Sequence, residues 1–187
     1  MAVFTPELRT EAEEIKARYP ESRSAMLPLL YLAQGVEGWC SPEGMREIAE
    51  ILDVTTAQVE GVASFYTMFQ MEPVGEHVIM VCTNLSCMLR GAYEVLEAAH
   101  EELGSGHEGH TSADGVFTVH EEECLGACDA APIVQIDVAN HDCVTKERMR
   151  DLIAALRKGE VPEPARGEAP RDWKHACRIN AGMGQRA

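Results

Sequence analysis

The fold is decided by two stretches of sequence, HVIMVCTNLSC (residues 77–87) and DGVFTVHEEECLGACDAAPIVQI (residues 114–136). The first predicts a short apolar strand over residues 77–82 with a cysteine at its end. The second predicts strands over residues 116–121 and 133–137 with a cysteine-bearing loop between them. Cys82 and Cys87 form one close pair, and Cys124 and Cys128 form another. If both loops lie at one end of the same sheet, the two pairs meet.

Working outward from these stretches, the sequence predicts three regions. Residues 88–103 have helical periodicity, and Thr145 caps a last helix that ends at Gly159, so residues 76–159 form a small α/β domain. Residues 1–75 contain helix-start signals at Thr5, Ser41 and Thr55, which predict a small N-terminal helical bundle. Residues 160–187 carry three prolines and no sustained period, which predicts an extended C-terminal tail. The fold class is therefore α+β.

Composition excludes several classes of protein. The chain has 16 basic and 31 acidic residues and a net charge of −15. A nucleic-acid binder needs a cationic face, so this class is excluded. No apolar run approaches the length of a membrane span, and the acidic N-terminus differs from a signal or transit peptide. We expect a cytoplasmic protein that reaches a membrane only through a partner.

The cysteines point to metal or redox chemistry. Seven cysteines in a chain without an export signal are expected to be reduced thiols, and the odd number argues against a full disulfide framework. Cys40, Cys143 and Cys177 stand apart from the two pairs and are expected to be ordinary thiols. The first pair follows a strand and opens a helix, where free N–H groups stabilise negative sulfur. Gly126 would let the backbone of the second pair approach a bound group.

Spacing alone leaves three interpretations open: an iron–sulfur site, a zinc site, and cysteines that lie close together by chance or through packing. Four thiolates are the full protein ligand set of a [2Fe–2S] cluster, two for each iron. Gaps of this length also suit a structural zinc site with four cysteines. The three-cysteine run typical of [4Fe–4S] proteins and the Cys-x-x-Cys pair of thioredoxin-type dithiols are absent from the sequence.

The sequence resembles the thioredoxin-like [2Fe–2S] subunits of respiratory complex I, the 24 kDa-type family of NADH-quinone oxidoreductase. The resemblance covers about residues 15–158. It depends most on GVASFYTMF (residues 61–69), on VCTNLSC (residues 81–87) and on residues 114–136. It implies a thioredoxin-like fold, one [2Fe–2S] cluster on Cys82, Cys87, Cys124 and Cys128, and docking against a flavin-bearing, NADH-oxidising subunit.

Three functions compete at this point. The first is an electron-transfer subunit of proton-translocating NADH-quinone oxidoreductase, peripheral to the inner face of the cell membrane and in contact with other iron–sulfur subunits. The second is the equivalent subunit of a soluble NAD-linked formate dehydrogenase or hydrogenase. The third is a zinc scaffold without redox activity. No glycine-rich dinucleotide fingerprint between a strand and a helix is found, so we expect a partner subunit to bind FMN and NADH. No catalytic residue is expected in this chain, which would act only as part of the oxidoreductase.

Overall fold

The computed structural model describes residues 2–104 and 109–183. These residues form two compact units. One contains the chain up to Pro73 together with the segment from Lys174 onward, and the other runs from Val74 to Trp173. We call them the helical unit and the α/β unit. The boundary lies close to the predicted end of the N-terminal bundle at residue 75.

The helical unit follows the capping signals in the sequence. Its first four α-helices are α1 (Pro6–Lys16), α2 (Met26–Glu37), α3 (Pro42–Leu52) and α4 (Thr56–Ala63). The hydroxyls of Thr5, Ser41 and Thr55 each accept a hydrogen bond from a backbone N–H in the first turn of α1, α3 and α4. Since these N–H groups have no partner within a helix, the caps determine where the three helices begin.

The core of the helical unit includes one buried carboxylate. Leu29, Leu30 and Ile48 are fully buried in the apolar core. Beside it, the carboxylate of Glu47 accepts hydrogen bonds from the backbone N–H of Val3 at 2.6 Å and from Arg9 at 2.9 Å. These contacts hold the N-terminal segment against α3, because a buried carboxylate needs partners that replace water.

The prediction of an extended C-terminal tail is wrong for residues 173–180. These residues form helix α8 (Trp173–Asn180), and the segment from Lys174 onward belongs to the helical unit. Cys177 and Met183 are buried, and Arg178 forms an ion pair with Glu11 of α1. Trp173 is also fully buried and is not an exposed anchor for a partner. The prolines that suggested a tail precede this helix and do not interrupt it.

The α/β unit is built on a mixed sheet. Its strands are β1 (His77–Cys82), β2 (His110–Thr111), β3 (Phe117–Glu122), β4 (Val134–Ile136) and β5 (Ala139–His141). Their spatial order is β2-β3-β1-β4-β5, with β1 parallel to β3 and the other neighbours antiparallel. Every residue of the central strand β1 is buried. Helices α6 (Ala92–Leu103) and α7 (Lys146–Arg157) supply Val95, Leu152 and Ile153 to the same core as Ile79 and Phe117.

The structure differs from the predicted α/β domain in one helix and in two strands. The predicted helix over residues 88–103 is two helices, α5 (Leu85–Leu89) and α6, separated by Gly91 at φ +93°. Strands β2 and β5 were not predicted, since strands of two and three residues give little alternation. Among the described residues, no helix is long and apolar enough to cross a membrane.

Candidate metal centre

The two cysteine-bearing loops leave the same edge of the sheet. Strands β1 and β3 are parallel neighbours, and Cys82 at the end of β1 pairs with Glu122 at the end of β3. The backbone N–H of Thr83 donates to the carbonyl of Glu122 at 2.9 Å, which extends the contact beyond the strands. The prediction that the two loops meet at one end of the sheet is confirmed.

Side chains of the first loop fasten it to the end of β3. The hydroxyl of Thr83 donates to the carboxylate of Glu121 at 2.7 Å. Asn84 accepts from the N–H of Leu85 at 2.7 Å and is the N-cap of α5. Helix α5 then places Cys87 in the interior, where it is 1% exposed. The sequence prediction began this helix at Met88 and missed both the turn before it and the role of Asn84, which is a typical N-cap residue.

The second loop turns at Gly126 and returns into the sheet through a cis Ala131–Pro132 bond. Gly126 has φ +75°, a conformation that residues with a Cβ rarely adopt. Apart from its chain neighbours, no atom of the described residues lies within 4 Å of the position that a Cβ would take, so this backbone conformation accounts for the glycine. The guanidinium of Arg90 donates from Nε to the carbonyl of Ala131 at 3.0 Å and ties the two loops together. No signal in the sequence indicated this contact.

The four predicted ligands come together as two pairs of thiols. Burial and Cys82 raise the pKa of Cys87, and Cys124 raises the pKa of Cys128, so the two members of each pair are neighbours. Cys82 also interacts electrostatically with both Cys87 and Cys128. Cys82 and Cys87 are buried, whereas Cys124 and Cys128 are exposed. Across residues 2–104 and 109–183, no three His, Cys, Asp or Glu side chains are grouped as ligands of a single metal ion.

The protonation of these thiols has a simple physical cause. Burial, reinforced by the neighbouring Cys82, raises the pKa of Cys87 to about 11. The hydrogen bond with Cys124, together with the charge of that thiol, raises the pKa of Cys128. Adjacent thiolates repel one another, and a buried thiolate loses its hydration. A bound cationic iron centre would reverse both effects, since metal coordination deprotonates a thiol.

The residues present fit a [2Fe–2S] cluster. Two pairs of thiols provide two ligands for each iron. The inner pair lies in an apolar cluster with Ala92, Ala127 and Ile133, which keeps water from one side of the site. The hydroxyl of Ser86 also forms a hydrogen bond with Cys128, and the sequence prediction did not include it. Such contacts around the ligands orient them and adjust the potential of a bound cluster.

The other three cysteines are not brought into this site. Cys40 and Cys177 belong to the helical unit, where both are buried. The side-chain amide of Gln34 accepts from Cys40 and donates to Cys177. Cys143 belongs to the α/β unit and is exposed.

These features define a class of protein: a small α+β fold with four cysteines gathered at one edge of its sheet. A family model described as thioredoxin-like [2Fe-2S] ferredoxin matches residues 12–157, and the chain belongs to this family. The fold and the family named in the sequence prediction are therefore confirmed.

Relatives with established names are similar over most of the chain. The E subunit of NADH-quinone oxidoreductase from Mycobacterium bovis is 42% identical over 176 residues, which cover 94% of this chain and 69% of the relative. NADH-quinone oxidoreductase subunit 2 of Thermus thermophilus is 44% identical over 151 residues, which cover 79% of this chain and 83% of the relative.

A solved structure is similar in fold. The crystal structure of NAD+-reducing [NiFe]-hydrogenase in the H2-reduced state matches with a TM-score of 0.58 and 20% sequence identity. The match covers 65% of this chain and 20% of the hydrogenase chain. At this level of identity the likeness concerns the fold alone.

Proposed function

We propose that this chain is the [2Fe–2S] electron-transfer subunit of the NADH-oxidising module of a proton-translocating NADH-quinone oxidoreductase. The observation that carries the proposal is the meeting of two cysteine pairs at one sheet edge in a member of a [2Fe-2S] family. The names of relatives that are 42–44% identical support this reaction and this complex.

Each cysteine pair holds one iron in this proposal. Cys82 and Cys87 supply the inner ligands, and Cys124 and Cys128 supply the outer ones. The cluster, when bound, exchanges one electron at a time. The chain itself orients the ligands through Thr83, Asn84 and Arg90, and its apolar residues keep water from the inner ligands.

The flavin and NADH belong to a partner subunit. A glycine spacing does occur at residues 104–109, but Gly104 ends helix α6 and Gly109 leads into β2. A dinucleotide fingerprint needs the opposite order, a strand followed by a glycine turn that opens a helix. A flavin bound by that partner would supply electrons to this chain, whose cysteines would hold the accepting cluster. The complex, which contains further iron–sulfur subunits in its peripheral arm, holds the chain at the cytoplasmic face of the cell membrane.

The two other functions have less support. The likeness to the hydrogenase is one of fold and does not favour a soluble NAD-linked hydrogenase or formate dehydrogenase. Membership of a [2Fe-2S] family supports an iron–sulfur cluster, and no comparable observation supports a zinc scaffold.

Metal and sulfide assays on the seven single Cys→Ala variants test the ligand set. Wild-type protein should be red-brown and contain two iron and two sulfide per chain. Replacement of Cys82, Cys87, Cys124 or Cys128 should remove or severely deplete both, because one iron loses a protein ligand. Replacement of Cys40, Cys143 or Cys177 should leave both unchanged and serves as the matched control. A colourless wild-type protein with one zinc, or full iron occupancy in Cys87→Ala, would contradict the proposal.

A further inference from the structure

Helix α5 has one face toward the thiols and another toward solvent. Cys87 lies on its inner side and is 1% exposed. Leu85, Met88 and Leu89 are 61%, 41% and 73% exposed, and their i, i+3 and i+4 spacing places them on one face of the helix. Continuous backbone turns through Arg90 and Gly91 lead into α6, where Tyr93 is 52% exposed. We call these four exposed side chains the α5 patch.

The α5 patch contains most of the exposed large apolar side chains of its unit. Among the described residues of the α/β unit, five large apolar side chains are exposed, and the α5 patch contains four of them within residues 85–93. The fifth is Val161. Single exposed apolar residues are ordinary, but four of them within residues 85–93 indicate an interaction surface. The patch begins three residues after Cys82 and surrounds Cys87 in sequence, so its position is fixed beside the metal centre.

Acidic side chains around the patch outnumber the one cation within residues 85–93, the exposed Arg90. Asn84, which precedes Leu85, donates to the exposed carboxylate of Glu123 at 3.4 Å. Glu121 is held beside Thr83, and Asp129 is exposed immediately after Cys128. The whole chain carries a net charge of −15. A second copy of this chain would bring the same carboxylates against these, and like charges across an interface oppose association.

We propose that the α5 patch docks on a different protein chain, whose apolar surface is bordered by Lys and Arg side chains. This inference depends on the proposed function, because the partner is taken to be the flavin-bearing subunit. Docking there places the partner's redox group next to the exposed thiols of Cys124 and Cys128. The apolar side chains of the patch become buried on docking and stabilise the complex. The carboxylates around the patch favour a partner with basic side chains.

To test the docking surface, the native host expresses a tagged full-length chain that replaces its own untagged copy. Leu89→Glu adds a like charge to the most exposed position of the patch. Val161→Glu is the matched control, since Val161 lies with Glu76 and His77 at the start of β1, the end opposite the cysteines. The two readouts are iron per tagged chain and the dissociation constant for the flavin-bearing subunit isolated from the wild-type complex. Leu89→Glu should keep its iron and bind that subunit at least about tenfold more weakly. Val161→Glu should match wild type in both.

The outcomes separate the docking surface from the function. A wild-type complex without flavin contradicts the proposed function itself. Wild-type binding with an unchanged Leu89→Glu variant overturns the docking surface alone. If sedimentation shows a wild-type dimer that Leu89→Glu converts to a monomer, the patch binds a second copy and the inference is wrong. If Leu89→Glu loses iron, the same two readouts are taken on Leu85→Gln and Tyr93→Gln, which remove apolar area without adding charge. Weaker binding with iron retained supports the docking surface, and unchanged binding overturns it.

Discussion

The imidazole Nδ1 of His77 lies 2.6 Å from Oδ2 of Asp137, and both side chains are buried. The other carboxylate oxygen of Asp137 accepts from the N–H of Val78 at 2.9 Å. The pair therefore joins the start of β1 to the turn between β4 and β5. It lies at the end of β1 opposite Cys82, so it supports the sheet without touching the metal centre.

This pair should make stability depend on pH. Burial alone would lower the pKa of His77, but the hydrogen bond and charge of Asp137 outweigh it and raise the pKa. A raised pKa in the folded state means that the protonated form stabilises the fold. This contribution is complete below the unfolded pKa, about 6.5, and is lost as pH rises through the folded pKa.

Urea unfolding of wild type and His77→Asn between pH 6 and 9 measures this effect. The asparagine amide carries an N–H donor but does not titrate in this range. The stability advantage of wild type should therefore shrink as pH increases. An advantage that stays constant across the range would show that His77 does not titrate in the folded protein.

The turn at Asp137 and Val138 stores backbone strain. Ile136 pairs with Ala139, so the two residues form a two-residue hairpin turn with φ of 50° and 70°. Such a turn favours Asp-Gly or Asn-Gly, because a β-branched residue is strained at positive φ. We expect Val138→Gly to raise the free energy of unfolding by about 1 kcal/mol.

The neighbouring position provides the control for this turn. Ala139→Gly lies in β5, where glycine should lower stability by about 0.5–1 kcal/mol. Denaturant unfolding of both variants measures the two signs. Equal destabilisation by both glycines would mean that the side chain of Val138 contributes more through packing than its φ costs.

The sequence predicted the parts of the fold that depend on local signals. Thr5, Ser41, Thr55 and Thr145 cap helices where predicted, because an N-cap hydroxyl acts within its own turn. The meeting of the cysteine pairs followed from strand ends, which are also local. Their ligation of iron stays a prediction.

Features that depend on contacts between distant segments were missed. Helix α8 has eight residues after a proline-rich stretch, too few to give a strong period, and tertiary contacts such as Arg178 with Glu11 accompany it. The capping signal at Thr55 and the helical spacing after it predict a helix that continues to an inward-facing Tyr66. Helix α4 instead ends at Ala63, and Tyr66 is exposed. Arg90 reaches Ala131 across 41 residues, and no local pattern encodes that contact.

Two helical glycines should respond to alanine with opposite signs. A Cβ on Gly35 in α2 would lie 2.8 Å from Cγ of Arg178 and 3.3 Å from the carbonyl oxygen of Lys174, both in α8. Gly35→Ala should therefore displace α8 and destabilise the protein by about 1–3 kcal/mol. Gly61 in α4 is exposed, and outside its own helix backbone no atom of the described residues lies within 4 Å of its Cβ position. Gly61→Ala should stabilise the protein by about 0.5–1 kcal/mol, because alanine is the better helix former.

Thermal unfolding of both variants, with iron content measured in parallel, tests whether α8 packs on α2. Iron should be unchanged in both, since neither glycine belongs to the α/β unit. Stabilisation by Gly35→Ala would mean that α8 does not pack on α2 in solution.

The cluster should have a low reduction potential. Ligation by four cysteines places a [2Fe–2S] centre near the plant-type ferredoxins, around −400 mV, well below a Rieske centre. Carboxylates beside the site lower the potential further, because negative charge opposes the added electron. Spectroscopic titration with dithionite should show a single one-electron step. A positive potential would contradict ligation by four cysteines.

The contribution of the nearby acidic residues can be measured at one position. Glu123 directly precedes Cys124, and its carboxylate accepts from Asn84 of the other cysteine loop. Removing one charge at ~8 Å in a partly aqueous environment changes the energy by roughly 0.5–1 kcal/mol. For a one-electron couple, Glu123→Gln should therefore raise the potential by roughly 20–45 mV. Glu160→Gln is the matched control, because Glu160 lies with Glu76 and His77 at the opposite end of β1. The reduction potential of Glu160→Gln should equal that of wild type. Equal shifts in both variants would show that the potential depends on the net charge of the chain and not on the position of Glu123.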